Sequence, residues 1–186
     1  MSYQKLAQKT LEIIYPSHLS KIFTTRDGSE ILIRPIKFVD ANLLIDLFNS
    51  LSENAKYMRF LTIKKEMTLE EAKHFVDVDY DKSFALVAIP LDCEKEKIIG
   101  VARYYANESK NKAEIAILVT DKWQNKGIGT ELNKFLLIIA KNNGIKKIYG
   151  DSLLENTPIK NILNCMDYEV KKTYFLNTFH FEFSIK

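Results

Sequence analysis

Apolar residues recur along this chain in two rhythms. At spacings of three and four they mark helices. Leu43, Leu44, Leu47, Phe48 and Leu51 follow Asp40 at that spacing and predict a helix capped by Asp40. Residues 3–14, with Leu6, Ile13 and Ile14 apolar, predict a short amphipathic helix, and 53–60 another. Thr68-Leu69-Glu70-Glu71 places Glu three residues after Thr, a capping box that opens a helix to about Val76. Alternating or continuous apolar runs mark strands at Glu30–Arg34, Phe84–Ile89, Ile98–Tyr105 and Ala113–Thr120. Pro35 stops the first, and polar turns at 92–97 and 107–111 join the rest. A long helix is predicted over 130–142, ended by Asn143-Gly144. A buried-type strand at Ile145–Gly150 and a helix over 156–166 follow, the helix opened by Asn156 with Pro158 in its first turn. The tail, Thr173–Ile185, alternates as one or two strands. This order is an α/β layout with an antiparallel meander in its middle.

The segment Gln124-Asn125-Lys126-Gly127-Ile128-Gly129-Thr130 lies between the 113–120 strand and the long helix. Glycines let a backbone curl tightly and approach a ligand closely. The first turn of a helix leaves N–H groups unpaired at the positive end of its dipole. A phosphorylated ligand is therefore expected at 124–130. A dinucleotide fingerprint would need a third glycine where Leu132 stands, and no Gly-Lys-Ser/Thr follows a longer spacer. The plain alternative is an ordinary strand-to-helix turn.

What remains, Gln-x-x-Gly-x-Gly after an alternating strand and before a helix, resembles the pyrophosphate loop of the GNAT acyltransferases. The element order matches that fold from about residue 30 to the end. The resemblance implies a mixed, mostly antiparallel sheet flanked by helices. It divides the chain into an N-terminal helical extension, 1–20, and an acyltransferase domain, 21–186. It also implies acetyl-CoA as cofactor, its pantetheine arm along Ile117, Leu118 and Val119, its pyrophosphate on Gln124, Asn125, Lys126, Gly127, Ile128, Gly129 and Thr130, and Asn156 on the far side of the arm. A simple helix cap is the alternative for Asn156.

Several runs look like a narrower group, the acetyltransferase domain of bacterial and archaeal protein lysine acetyltransferases that modify acyl-CoA synthetases. They are Tyr15-Pro16-Ser17-His18, Arg26-Asp27-Gly28, Ile33-Arg34-Pro35-Ile36, Ser52-Glu53 to Tyr57-Met58-Arg59-Phe60, Asp79-Tyr80-Asp81 and Ala113-Glu114-Ile115-Ala116. Many relatives carry a large synthetase-like region ahead of this domain, so a stand-alone version is expected here. Many GNAT enzymes place a Tyr seven residues after the helix-opening Asn. Here that position is Leu163, and the narrower group usually lacks the Tyr too. The usual Gly after this helix is Asp167.

A lysine side chain with a pKa of about 10.4 must lose a proton before it can attack a thioester. In the resembling group the Glu of Ala-Glu-hydrophobic-Ala is the base, here Glu114. Its neighbours Ala113, Ile115 and Ala116 would partly dehydrate it. A solvated strand-end carboxylate is the plain alternative. Arg59 and Asp79–Asp81 are candidates for the acceptor site, and Asp77, Asp79, Asp81 and Glu70-Glu71 for an acidic groove. Cys165 reads as core, as does the aromatic tail.

Composition narrows the rest. The 186 residues are 46% hydrophobic and 27% charged, an ordinary globular balance for one domain. Two cysteines, Cys93 and Cys165, make no disulfide framework, and no Cys/His pair has zinc spacing, so no metal is expected. A net charge of +3 is too small to argue for nucleic acid. No run of apolar residues is long enough to span a membrane, and the first fifteen residues lack a signal-peptide core, so a cytoplasmic setting is expected. Between Asp121 and Lys147 six lysines stand against two acids. Most are solvated surface; Lys126, inside the loop, is the exception expected to serve the cofactor. The readings of function are an acetyl-CoA-dependent N-acetyltransferase acting on a protein lysine such as one in an acyl-CoA synthetase, a small-molecule amine acetyltransferase, and a non-catalytic acyl-CoA sensor.

Overall fold

A computed structural model describes residues 14–185. Eight strands form one sheet: β1 (Lys21–Thr24), β2 (Glu30–Pro35), β3 (Ser83–Pro90), β4 (Gly100–Ala106), β5 (Lys112–Val119), β6 (Lys147–Leu153), β7 (Lys171–Phe175) and β8 (Thr178–Ser184). Their order is β1-β2-β3-β4-β5-β6-β8-β7, antiparallel throughout except for the β5–β6 pair. Five helices cover it: α1 (Ala41–Asn49), α2 (Glu53–Phe60), α3 (Leu69–Val76), α4 (Ile128–Asn142) and α5 (Thr157–Asn164).

The sheet is buried on both faces at its centre, so its middle strand is almost continuously apolar. Phe84, Leu86 and Ala88 of β3 pack with Ile128, Leu132 and Leu136 of α4. Ala85, Val87 and Ile89 point the other way, against Leu44 and Leu47 of α1 and Ala72 and Val76 of α3. Phe179, Phe181 and Phe183 alternate inward from β8, as the tail's pattern predicts.

The expected helix at 3–14 lies outside the described residues, apart from Ile14; of the proposed extension, residues 14–20 form turn and irregular chain. The strand β1 has no counterpart in the sequence reading. It is short, at the sheet edge, and buries only alternate residues partly. The long helix begins at Ile128, two residues before the expected start. The Thr68 capping box forms, with Thr68 Oγ1 accepting from Glu71 N at 3.2 Å and Thr68 N donating to Glu71 at 2.9 Å. Asp40 does not cap α1 with its side chain. Its buried carboxylate instead takes two bonds from Arg34, at 2.7 and 2.9 Å, and one from Lys37 N at 2.7 Å. A buried cation six residues away outcompetes a helix end for that carboxylate.

The runs Tyr15, Pro35–Ile36 and Tyr80 converge in space. Tyr15 donates to Pro35 O at 3.0 Å, Tyr80 donates to Ile36 O at 2.7 Å, and the two rings meet edge to face at 5.9 Å. Burial pushes the Tyr80 hydroxyl up to about 12.

Candidate active site

The parallel ladder between β5 and β6 has three rungs, Lys112–Lys147, Ala113–Ile148 and Glu114–Tyr149. Beyond Glu114 the two strands diverge. Residues 115–119 of β5 stay paired to β4 but have no β6 partner. A cleft of about 720 Å³ opens there. One wall is Ile115–Val119, whose edge N–H and C=O groups need a partner. Glu114 stands at one end of the cleft and the start of α4 at the other.

The α4 end is built for an anion. Gly127 occupies the N-cap position with φ of +94°, a backbone that favours glycine, and no side chain caps the helix. The first amides of a fifteen-residue helix therefore remain open at its positive end. Gln124, Asn125, Gly127, Gly129 and Thr130 all line the cleft. Gln124 Nε2 donates to Val119 O at 3.0 Å and ties the loop to the end of β5.

The side chains of two loop residues face away from the cleft, while the amide of Ile128 stays at the open start of α4. Ile128 points into the core and is 1% exposed. Lys126 is not a cleft residue: its Nζ lies 2.6 Å from Asp27 and 4.5 Å from the Trp123 ring. The bond from Lys126 is the main reason the Asp27 carboxyl sits well below the usual carboxylate range, helped by Thr25. Arg26, beside Asp27 at the β1–β2 turn, lines the cleft, a position the sequence reading did not give it.

At the other end Glu114 is exposed, not dehydrated as its sequence neighbours suggested. Alternation puts Ala113 and Ile115 on the opposite, buried face of the strand. Tyr105 of β4 stands directly opposite Glu114, and Arg103 opposite Ala116. Arg59, from the last turn of α2, also lines this end, as do Asp151 and Glu155. Ser52, the α2 N-cap, receives Ala55 N at 3.2 Å and bonds Asp121 through its N and Oγ at 3.1 and 2.8 Å. That clamp fixes α2 against the loop leading to α4.

Asn156 lines the cleft while its Oδ1 accepts from Ile159 N at 3.2 Å, so it caps α5. Leu163 is buried. Cys165, expected in the core, is exposed and lines the cleft, because α5 ends there. The expected acidic groove does not form at the cleft. Asp79 closes its own turn, accepting from Asp81 N, Ser83 N and Ser83 Oγ, and Asp81 pairs with Lys110. Glu71 serves the α3 cap and Lys64.

Residues 30–168 match the family model described as "Acetyltransferase (GNAT) domain". The chain belongs to the GNAT acetyltransferase family. An acetyltransferase of Pseudomonas aeruginosa is 28% identical over 136 residues, 73% of each chain. Acetyltransferase Pat of Mycolicibacterium smegmatis is 25% identical over 140 residues, 75% of this chain but 41% of that longer protein. The crystal structure of the GNAT domain of PAT from S. lividans superposes with a TM-score of 0.82 at 24% identity, covering 92% of this chain and all of that one, a likeness of fold. Members of this GNAT family are acetyl-CoA-dependent N-acetyltransferases, and the open β5 edge with the uncapped α4 terminus fits such a ligand. Among the described residues no helix is long and apolar enough to cross a membrane.

Proposed function

We propose that this GNAT enzyme acetylates a lysine on a protein, with Glu114 as general base. The carrying observation is the position of Glu114, on the last rung before β5 leaves β6 and inside the same cleft as the α4 N-terminus. Acetyl-CoA bound there would supply a thioester, an acyl group activated towards amines. The open amides of Gly127, Ile128, Gly129 and Thr130 would hold its phosphates, with Arg26 nearby. The edge of Ile117–Val119 would pair with the amides of the arm, and a strand N–H would polarise the carbonyl. Glu114 then takes the amine proton as the C–N bond forms and the C–S bond breaks. Lys126 is left out of this reading because Asp27 holds it.

A protein acceptor is favoured by the runs outside the cofactor motif, from Tyr15–His18 through Asp79–Asp81, that resemble the protein lysine acetyltransferases, and by Leu163 in place of Tyr. The carboxylates Glu114, Asp151 and Glu155 suit a cationic acceptor at the mouth of the cleft. Incubation with acetyl-CoA and an acyl-CoA synthetase, followed by mass spectrometry, tests this. A modified synthetase lysine with loss of synthetase activity is expected. Faster acetylation of free polyamines, amino acids or aminoglycosides than of any protein would replace the protein acceptor with a small amine.

A further inference from the structure

Two guanidinium groups, from Arg59 of α2 and Arg103 of β4, line one small cavity beside the cleft. Arg103 is 5% exposed, donates to Phe75 O at 3.2 Å and to Tyr105 Oη at 3.0 Å, and lies 4.7 Å from the Phe75 ring. Arg59 lies 5.2 Å from the Phe60 ring. Among the described residues neither forms an ion pair with a carboxylate. Burial first, and then the charge of Arg103, pushes the Arg59 guanidinium down to about 10, while Glu114 and Tyr105 pull the other way. Burial likewise lowers Arg103. A buried cation without an anion is costly, and Arg103 is one, while Arg59 is partly exposed to the cleft; elsewhere this fold avoids the cost: buried Arg34 has both Asp40 and Glu96.

Both arginines line a small, mainly apolar cavity of about 40 Å³, walled also by Phe48, Phe60, Phe75 and Val101 and reaching β5 at Ala116 and Leu118. That is room for about three water-sized groups. Ala116, Leu118, Arg59 and Phe60 line both this cavity and the main cleft, so one continues into the other. With Glu114 as base, the reacting carbonyl would sit beside Glu114 and Ala116. The far end of a short acyl group would then point towards the cavity, where Arg103 is the β4 neighbour of Ala116 in the ladder.

We propose that this cavity is a carboxylate subsite, and that besides acetyl-CoA the protein takes acyl-CoA donors whose short acyl chain ends in a carboxylate. The proposal rests on the cleft being the acyl-CoA site. Guanidinium forks match a carboxylate with two parallel bonds, and the rings of Phe60 and Phe75 exclude water around them. The transfer chemistry is unchanged: C–N forms, C–S breaks, and Glu114 receives the amine proton. The product amide carries a carboxylate, so a cationic side chain becomes an anionic one.

Calorimetric titration with coenzyme A, butyryl-CoA and succinyl-CoA tests this, the two acyl chains being alike except for methyl against carboxylate. Succinyl-CoA should bind about tenfold tighter than butyryl-CoA. In Arg59→Met that preference should shrink to within about twofold, with coenzyme A affinity kept. Lys73→Met, which removes an exposed charge on α3, should keep the preference. Arg103→Met should also lose it and is read if its melting stays cooperative; Arg59→Met decides alone otherwise. Equal binding of the two donors, with coenzyme A itself bound, refutes the subsite and leaves the acyl-CoA reading standing. Failure to bind coenzyme A overturns both.

Discussion

Glu114 pairs with Tyr149 on the final parallel rung of β5 and β6, and from that pair the two strands part. The proposed base and the opening of the cleft therefore have one origin in the register of the sheet. Glu114→Gln should keep coenzyme A affinity, since the carboxylate lies at the far end from α4. Turnover at neutral pH should fall by a factor of about a hundred to ten thousand. Paired calorimetry and steady-state rates check this; near-normal rates would make Glu114 a strand-end carboxylate.

Gly127→Val should lose both stability and affinity. Its φ of +94° is strained for any branched side chain, and the added Cβ meets Phe23 at 3.4 Å. A cost of about 1–3 kcal/mol is expected in chemical denaturation, with coenzyme A affinity reduced because the α4 terminus shifts. Gly129→Ala is milder: its backbone is ordinary, and its Cβ meets the flexible end of Ile162 at 3.2 Å and Val119 at an ordinary 3.6 Å.

Removing one half of the Arg34–Asp40 pair should be severe. Both are nearly fully buried, so Asp40→Ala leaves Arg34 with only the exposed Glu96. Denaturation should report a loss of about 3–5 kcal/mol. The double variant Arg34→Met, Asp40→Leu should lose less, since no charge is stranded.

Asp27→Asn should loosen the 124–130 loop without unfolding the protein. The Asp27 carboxyl is held below its ordinary 3.8, so its ion pair with Lys126 stabilises the fold above that pH. The contribution fades as pH falls from 3.8 towards the lower folded value. Amide exchange at Asn125–Gly127 should thus be faster in the variant at neutral pH, and the difference between the proteins should narrow in acid. No difference at neutral pH would show that Lys126 and Asp27 do not hold the loop.

The sequence alone determined whatever depends on neighbours along the chain. Helical spacing and caps located α1 to α5, and apolar runs located β2 to β6 and a tail of one or two strands, because period and capping are local. That Glu114 and the glycine loop lie on one strand and the turn after it was legible for the same reason. The tertiary structure alone decided which charges meet. Asp27 reaches Lys126 across 99 positions of sequence only because β1 folds back on β2 beside the loop. Asp79 turned inward to its own backbone instead of to a groove. Arg103 and Arg59 come to line one cavity because α2 packs over β5, the strand next to β4. A one-dimensional pattern fixes which face a side chain takes within its element. It says nothing of the partner across the gap, and electrostatic and packing energies depend on that partner.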